Sequence, residues 1–129
     1  MGHFASTNKP LKTKKQAEEA GNKSNEVTLA PTQLDFAEYV SGSVIADQAG
    51  ALYIEESFDY PANHENDELA LSGSHWTLIE KIVVASSTEG QSFRVFPSGP
   101  YFRLRFVNTA ETEQKIFRLY VRAQEKGKI

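Results

Sequence analysis

Arginine and tyrosine recur at every second position in two runs near the C-terminus. Tyr101, Arg103 and Arg105 alternate with Phe102, Leu104 and Phe106, and Arg118, Tyr120 and Arg122 alternate with Phe117, Leu119 and Val121. A guanidinium is a planar fork of donors that fits anions, and a tyrosine couples a flat apolar body to a polar tip. Together they suit an anionic or carbohydrate partner, so these six residues are candidate partner-binding positions. The competing reading is a structural ion network. If the two runs form a hairpin centred between Ala110 and Glu111, Arg103 lies across from Arg118. Like charges facing each other cost stability unless an acid intervenes. Glu55 and Glu56, on an earlier run, are the acids available.

Catalytic chemistry is hard to assemble from this chain. It has three histidines, His3, His64 and His75, and none has a partner at metal-ligand spacing. It has no cysteine, which removes thiolate nucleophiles, thiolate metal sites and disulfides together. Neither a Gly-x-Ser-x-Gly elbow nor a glycine-rich phosphate loop occurs. A Ser-His-Asp triad has no spacing of its own to look for. Residues 59–68 gather Asp59, Glu65, Asp67 and Glu68 with Asn63 and Asn66. Oxygen groups at that density are a calcium option, although their order is not that of an EF-hand. Glu65 and Asp67 also resemble a glycosidase carboxylate pair, at a spacing too common to be diagnostic. The simpler reading is a solvated acidic loop. No enzymatic activity and no cofactor are expected.

The elements that carry these groups read as strands. Alternation with period two marks a strand with one buried face. Residues 27–29, 34–40, 44–46, 51–58, 76–85, 92–96, 101–107 and 116–122 read this way, with 34–40 open to a helical reading. Ser41, Gly42 and Ser43 read as a break, residues 47–50 as a turn, and residues 60–74 as a long polar loop. The residues between the last two runs read as a hairpin turn. About seven short strands at such spacing predict an antiparallel β-sandwich, Ig-like or jelly-roll-like, over residues 26–129. Its core contains Phe102, Leu104, Phe106, Phe117, Leu119 and Val121. Trp76, the only tryptophan, reads as a core anchor.

Residues 1–25 read differently. They hold five lysines against two glutamates, a net of +3, which leaves −6 for the other 104 residues. Large apolar side chains are few, so the segment reads as a flexible basic arm that orders on a partner. Residues 13–20 favour a short helix ended by Gly21. Phe4 and Leu11 are the expected anchors, and Lys9, Lys12, Lys14 and Lys15 the expected contacts to an acidic surface. The overall charge of −3 argues against nucleic acid as a partner. No apolar run reaches the roughly 20 residues of a membrane span. The N-terminus has no apolar stretch behind its lysines, so no secretory signal is read.

Two segments carry a family resemblance. Asp47, Gln48, Gly50, Leu52, Tyr53, Ile54, Glu55 and Ser57 form a turn leading into a strand. Tyr101, Arg103 and Asn108, then Gln114, Phe117, Arg118 and Leu119, follow later. Together they resemble a recurring β-sandwich of tailed-phage virion proteins, found in capsid decoration proteins, head fibres and tail components. The resemblance departs where residues 58–61 open a longer loop before Trp76. It implies a virion structural protein, most simply a decoration or cement protein on the outer capsid surface, made in the host cytoplasm. The implied partners are the major capsid protein and further copies of the chain, as in a trimer. A carbohydrate-binding module of a tail or host-adhesion device is the alternative. No catalytic residue carries over.

Overall fold

The computed structural model describes residues 2–22, 24–34, 37–62 and 73–125. They form β1 (Gly2–Asn8), α1 (Lys14–Glu19), β2 (Glu26–Thr28), β3 (Thr32–Gln33), β4 (Ala37–Ala46), β5 (Gly50–Ser57), β6 (Thr77–Val84), β7 (Gln91–Val95), β8 (Tyr101–Asn108) and β9 (Phe117–Glu125). One sheet runs β1-β9-β4-β7 and the other β2-β8-β5-β6, with β3 also on β8. Every pairing is antiparallel. The two sheets face each other, so the expected β-sandwich is present.

The inward rows are those the alternation marks. Phe102, Leu104, Phe106, Phe117, Leu119 and Val121 are each at most 1% exposed. They meet Val40, Val44, Leu52, Ile54 and Val84 from the neighbouring strands. Full burial of a side chain of this size contributes about 1.5–3 kcal/mol. The rings of Phe106 on β8 and Phe117 on β9 stack across the sheets, with centroids 4.6 Å apart.

That contact corrects the expected hairpin. β8 pairs with β2, β3 and β5, and β9 with β1 and β4. The two strands belong to opposite sheets, and residues 109–116 cross between them. The cause is that both apolar rows need cover. In a hairpin they would share one face, whereas across the sandwich each buries the other. Side-chain and main-chain bonds hold the crossing. The Asp47 carboxylate, from the β4–β5 turn, accepts from the amides of Lys115 and Ile116 at 3.0–3.2 Å. Buried Asn108 donates through Nδ2 to the carbonyls of Lys12 and Thr112, and its Oδ1 accepts from the Ala110 amide.

The expected break at Ser41, Gly42 and Ser43 is instead the middle of β4, paired on both sides with β9 and β7. Gly42 fits here because its inward side is crowded. A Cβ on Gly42 would come within 2.6 Å of the Phe93 ring.

The expected flexible arm is also corrected. Gly2–Asn8 adds to the edge of β9, and Leu11 exchanges two backbone hydrogen bonds with Gln114 at 3.0 and 2.8 Å. Leu11 is only 2% exposed and belongs to the core. Helix α1 forms where the composition places it. Thr13 caps it through its hydroxyl, which accepts from the Gln16 amide at 3.0 Å, while the Gln16 side chain accepts from the Thr13 amide. This is a capping box, and Ala17 is the buried side of the helix. The arm reading weighed composition alone. A single leucine and a strand edge supplied the burial and the hydrogen bonds that composition does not reveal.

Two outcomes follow for stability. Leu11→Ala lowers unfolding free energy by about 2–5 kcal/mol in denaturant titration, as for other buried leucines; a loose arm would give no change. Gln114 is fully buried, and among the described residues neither polar atom of its side chain has a hydrogen-bond partner. A buried amide left unsatisfied costs about 1–3 kcal/mol, so Gln114→Met, close in volume, leaves the melting temperature unchanged or raises it. A large fall would show that the amide is bonded.

Candidate functional site

The crossing of residues 109–116 separates the six arginine and tyrosine positions into two sets. Tyr101, Arg103 and Arg105 lie on the outer face of the five-stranded sheet. Arg118, Tyr120 and Arg122 lie on the outer face of the four-stranded sheet, and Arg103 does not face Arg118.

The first face is neutralised by its own neighbours. Glu55 is directly across from Arg103, and its Oε1 accepts from Arg103 Nε at 2.8 Å. The same oxygen is 3.6 Å from Arg105 Nε, and Arg105 Nη1 is 3.6 Å from Glu26. The acid expected between Arg103 and Arg118 has no place there, because those two lie on opposite faces; Glu55 instead joins Arg103 and Arg105. Glu56 turns to the sandwich end, where it accepts from the amides of Ser98 and Gly99 at 2.7 and 2.8 Å. Aromatic rings complete the arrangement. Arg105 lies 4.3 Å over Tyr53, with the Lys81 ammonium 5.6 Å from that ring. Arg103 lies 4.3 Å over Trp76, which continues through Tyr60 to Tyr101 at centroid spacings of 5.6 and 5.3 Å. Trp76 is thus a half-buried ring beneath a guanidinium and not the core anchor expected. It directly precedes β6, an edge strand with most of its side chains exposed.

The second face is open. Arg94, Arg118, Tyr120 and Arg122 are exposed, and among the described residues none of the three arginines has an ion-pair partner. The strand register fixes two rungs across β7, β4 and β9: Arg94, Ser41 and Arg122 in one, Ser92, Ser43 and Tyr120 in the next. Residues directly paired across strands share a face. Tall side chains at the sides and serines in the middle make a trough of about 360 Å³. Arg94 lies 4.4 Å over the Tyr39 ring, which holds its guanidinium at the rim. The sequence reading missed Arg94 and the serines. Their signal was the alternation of Tyr39, Ser41, Ser43 and Ile45, hidden by reading Ser-Gly-Ser as a break.

Lys9, Lys12, Lys14 and Lys15 are exposed, while Leu11 is in the core and is not available as an anchor. The Phe4 side chain lies outside the described residues, as do Asn63, His64, Glu65, Asn66, Asp67 and Glu68 of the acidic loop. At the loop's ends, Asp59 accepts from the His75 amide at 2.8 Å and pairs with His75 Nδ1 at 2.6 Å. The Ser57 hydroxyl donates to Asp59 at 2.8 Å. Among the described residues, no group of three or more His, Asp or Glu side chains is placed to hold a metal ion.

Glu55→Ala leaves two guanidinium groups adjacent without their shared acid. It lowers stability by about 1–3 kcal/mol in denaturant titration, because a charge-assisted bond is lost and two cations remain close. Arg118→Ala, on the unneutralised face, changes stability by about 0.5 kcal/mol or less. Equal effects would contradict the contrast between the faces.

A family model described as the uncharacterised protein YqxG N-terminal domain matches residues 6–124. No curated protein matches the chain. Among solved structures, the PBSX exported protein XepA is similar over 97% of this chain, with a TM-score of 0.67 and 23% identity; the chain spans 38% of XepA. PirA is similar over 96% of this chain and 97% of its own length, with a TM-score of 0.49 and 7% identity.

Proposed function

Starting from a chain that belongs to the YqxG N-terminal domain family, we propose a phage-associated structural protein that works by binding and not by turnover. The observation that carries the reading is where the charged groups are. The space between the sheets is filled by apolar side chains, and the arginines of β8 and β9 stand on its two opposite outer faces. One face is neutralised by Glu55 and Glu26, and among the described residues the β9 arginines have no ion-pair partner, which supports the β9 face as the docking side. The likeness to XepA, a PBSX phage exported protein, supports the phage association.

In its finer form the protein decorates the major capsid shell. The sandwich lies against the shell through Arg118, Tyr120 and Arg122, and the exposed Lys9, Lys12, Lys14 and Lys15 add contacts to acidic capsid surface. Many copies, each of modest affinity, then hold through avidity. The second reading is a carbohydrate-binding module that meets the cell envelope. The similar protein XepA is exported, which favours this reading, because an exported protein reaches envelope polymers.

Density-gradient separation of a phage lysate tests the assignment. The chain is expected to band with particles, and Arg122→Glu is expected to reduce the bound fraction while the sandwich stays folded. Recovery only in the soluble fraction, with no binding to purified capsids at low salt, would overturn the capsid form. Retention on envelope fragments instead would establish the second reading.

A further inference from the structure

The rung Arg94–Ser41–Arg122 sets two guanidinium-bearing positions on either side of a serine. Two strand spacings put their backbones roughly 10 Å apart. The side chains therefore rise on both walls of the trough over a floor too small to fill it. The next rung continues the floor with Ser43 and Ser92 and the wall with Tyr120. The hydroxyls of Ser41, Ser43 and Ser92 have no hydrogen-bond partner among the described residues. Donors converging from two sides and from below suit a tetrahedral oxyanion, whose oxygens point in several directions. A planar carboxylate engages one guanidinium side-on and leaves the opposite wall unused.

We propose that this trough binds the phosphate or sulfate ester groups of an anionic glycan, with one ester seated over Ser41 between Arg94 and Arg122. The trough is open along β4, so the chain bearing the ester runs toward Ser43, and the Tyr120 ring offers a flat apolar wall to its sugar carbons. The charge balance favours a local site over a general field. The chain carries −3 overall, so a polyanion is repelled by the body and held where, among the described residues, arginines lack acidic partners. The site stands on the strand register alone and does not depend on whether the protein sits on a capsid.

The test is calorimetric titration of the full chain with dextran sulfate and dextran phosphate, against neutral dextran and inorganic phosphate. Both charged dextrans are expected to bind and neutral dextran is not. Inorganic phosphate is expected to bind more weakly per site than either. Arg94→Gln and Arg122→Gln each weaken binding about tenfold, the cost of one charge-assisted contact. Arg118→Gln, two rungs along β9 from Ser41, weakens it less than twofold. Ser41→Leu fills the floor without changing charge and abolishes binding, and an unchanged melting temperature shows that the fold is kept. Equal losses for the three arginine variants, or full binding by Ser41→Leu, would reduce the effect to diffuse attraction and overturn the site. Inorganic phosphate binding as tightly as the dextrans would overturn the glycan. Failure of particle binding with dextran binding intact would remove the capsid reading and leave this site standing.

Discussion

The passage of the chain between sheets at residues 109–116 is the constraint on which the rest of this protein depends. Two strands with strong apolar rows follow each other closely, and each needs a covered face. Placing them in opposite sheets makes each the cover of the other, with Phe106 against Phe117 at 4.6 Å. Most of the crossing is exposed, with Gln114 its one buried residue, and its main chain needs partners that hold its path. Asp47, Asn108 and the Leu11–Gln114 pair answer that need from three separate parts of the chain. The N-terminal segment is fixed for the same reason, because its backbone is one of the partners.

The distribution of charge follows from the crossing. An alternating strand that buries its odd or even side chains must display the others. With β8 and β9 in opposite sheets, the displayed arginines point in opposite directions. β8 lies beside β5 and β2, whose Glu55 and Glu26 balance it. β9 lies beside β4, whose displayed residues include Ser41 and Ser43. Among the described residues the β9 arginines have no ion-pair partner, and Ser41 and Ser43 beside them are small. The sandwich is thus asymmetric, with one face closed on itself and one face open.

Binding is a natural task for such an object. A rigid sheet holds side chains at set spacings, which suits the binding proposed for this chain. The strand register fixes which donors share a rung, and neighbouring packing, such as Tyr39 under Arg94, orders a side chain that would otherwise lose entropy on binding.

The sequence by itself determined most of the strands beyond residue 26, the inward faces of β8 and β9, and a short helix before Gly21, because period-two alternation and helix propensity are local. It pointed to Glu55 as an acid for Arg103, although the second arginine it shares is Arg105 and not the expected Arg118. The motif residues Asp47, Asn108 and Gln114 were visible as a pattern, but their task was not. Only the tertiary structure decided which strands pair, since an apolar face specifies that it must be covered and not by what. That choice turned the anticipated hairpin into a crossing, drew Leu11 into the core and carried β4 unbroken through Ser41, Gly42 and Ser43. It also brought Arg94 to Arg122 across a serine. A trough built from three strands is a property of register between distant segments, and no single stretch of this chain contains it.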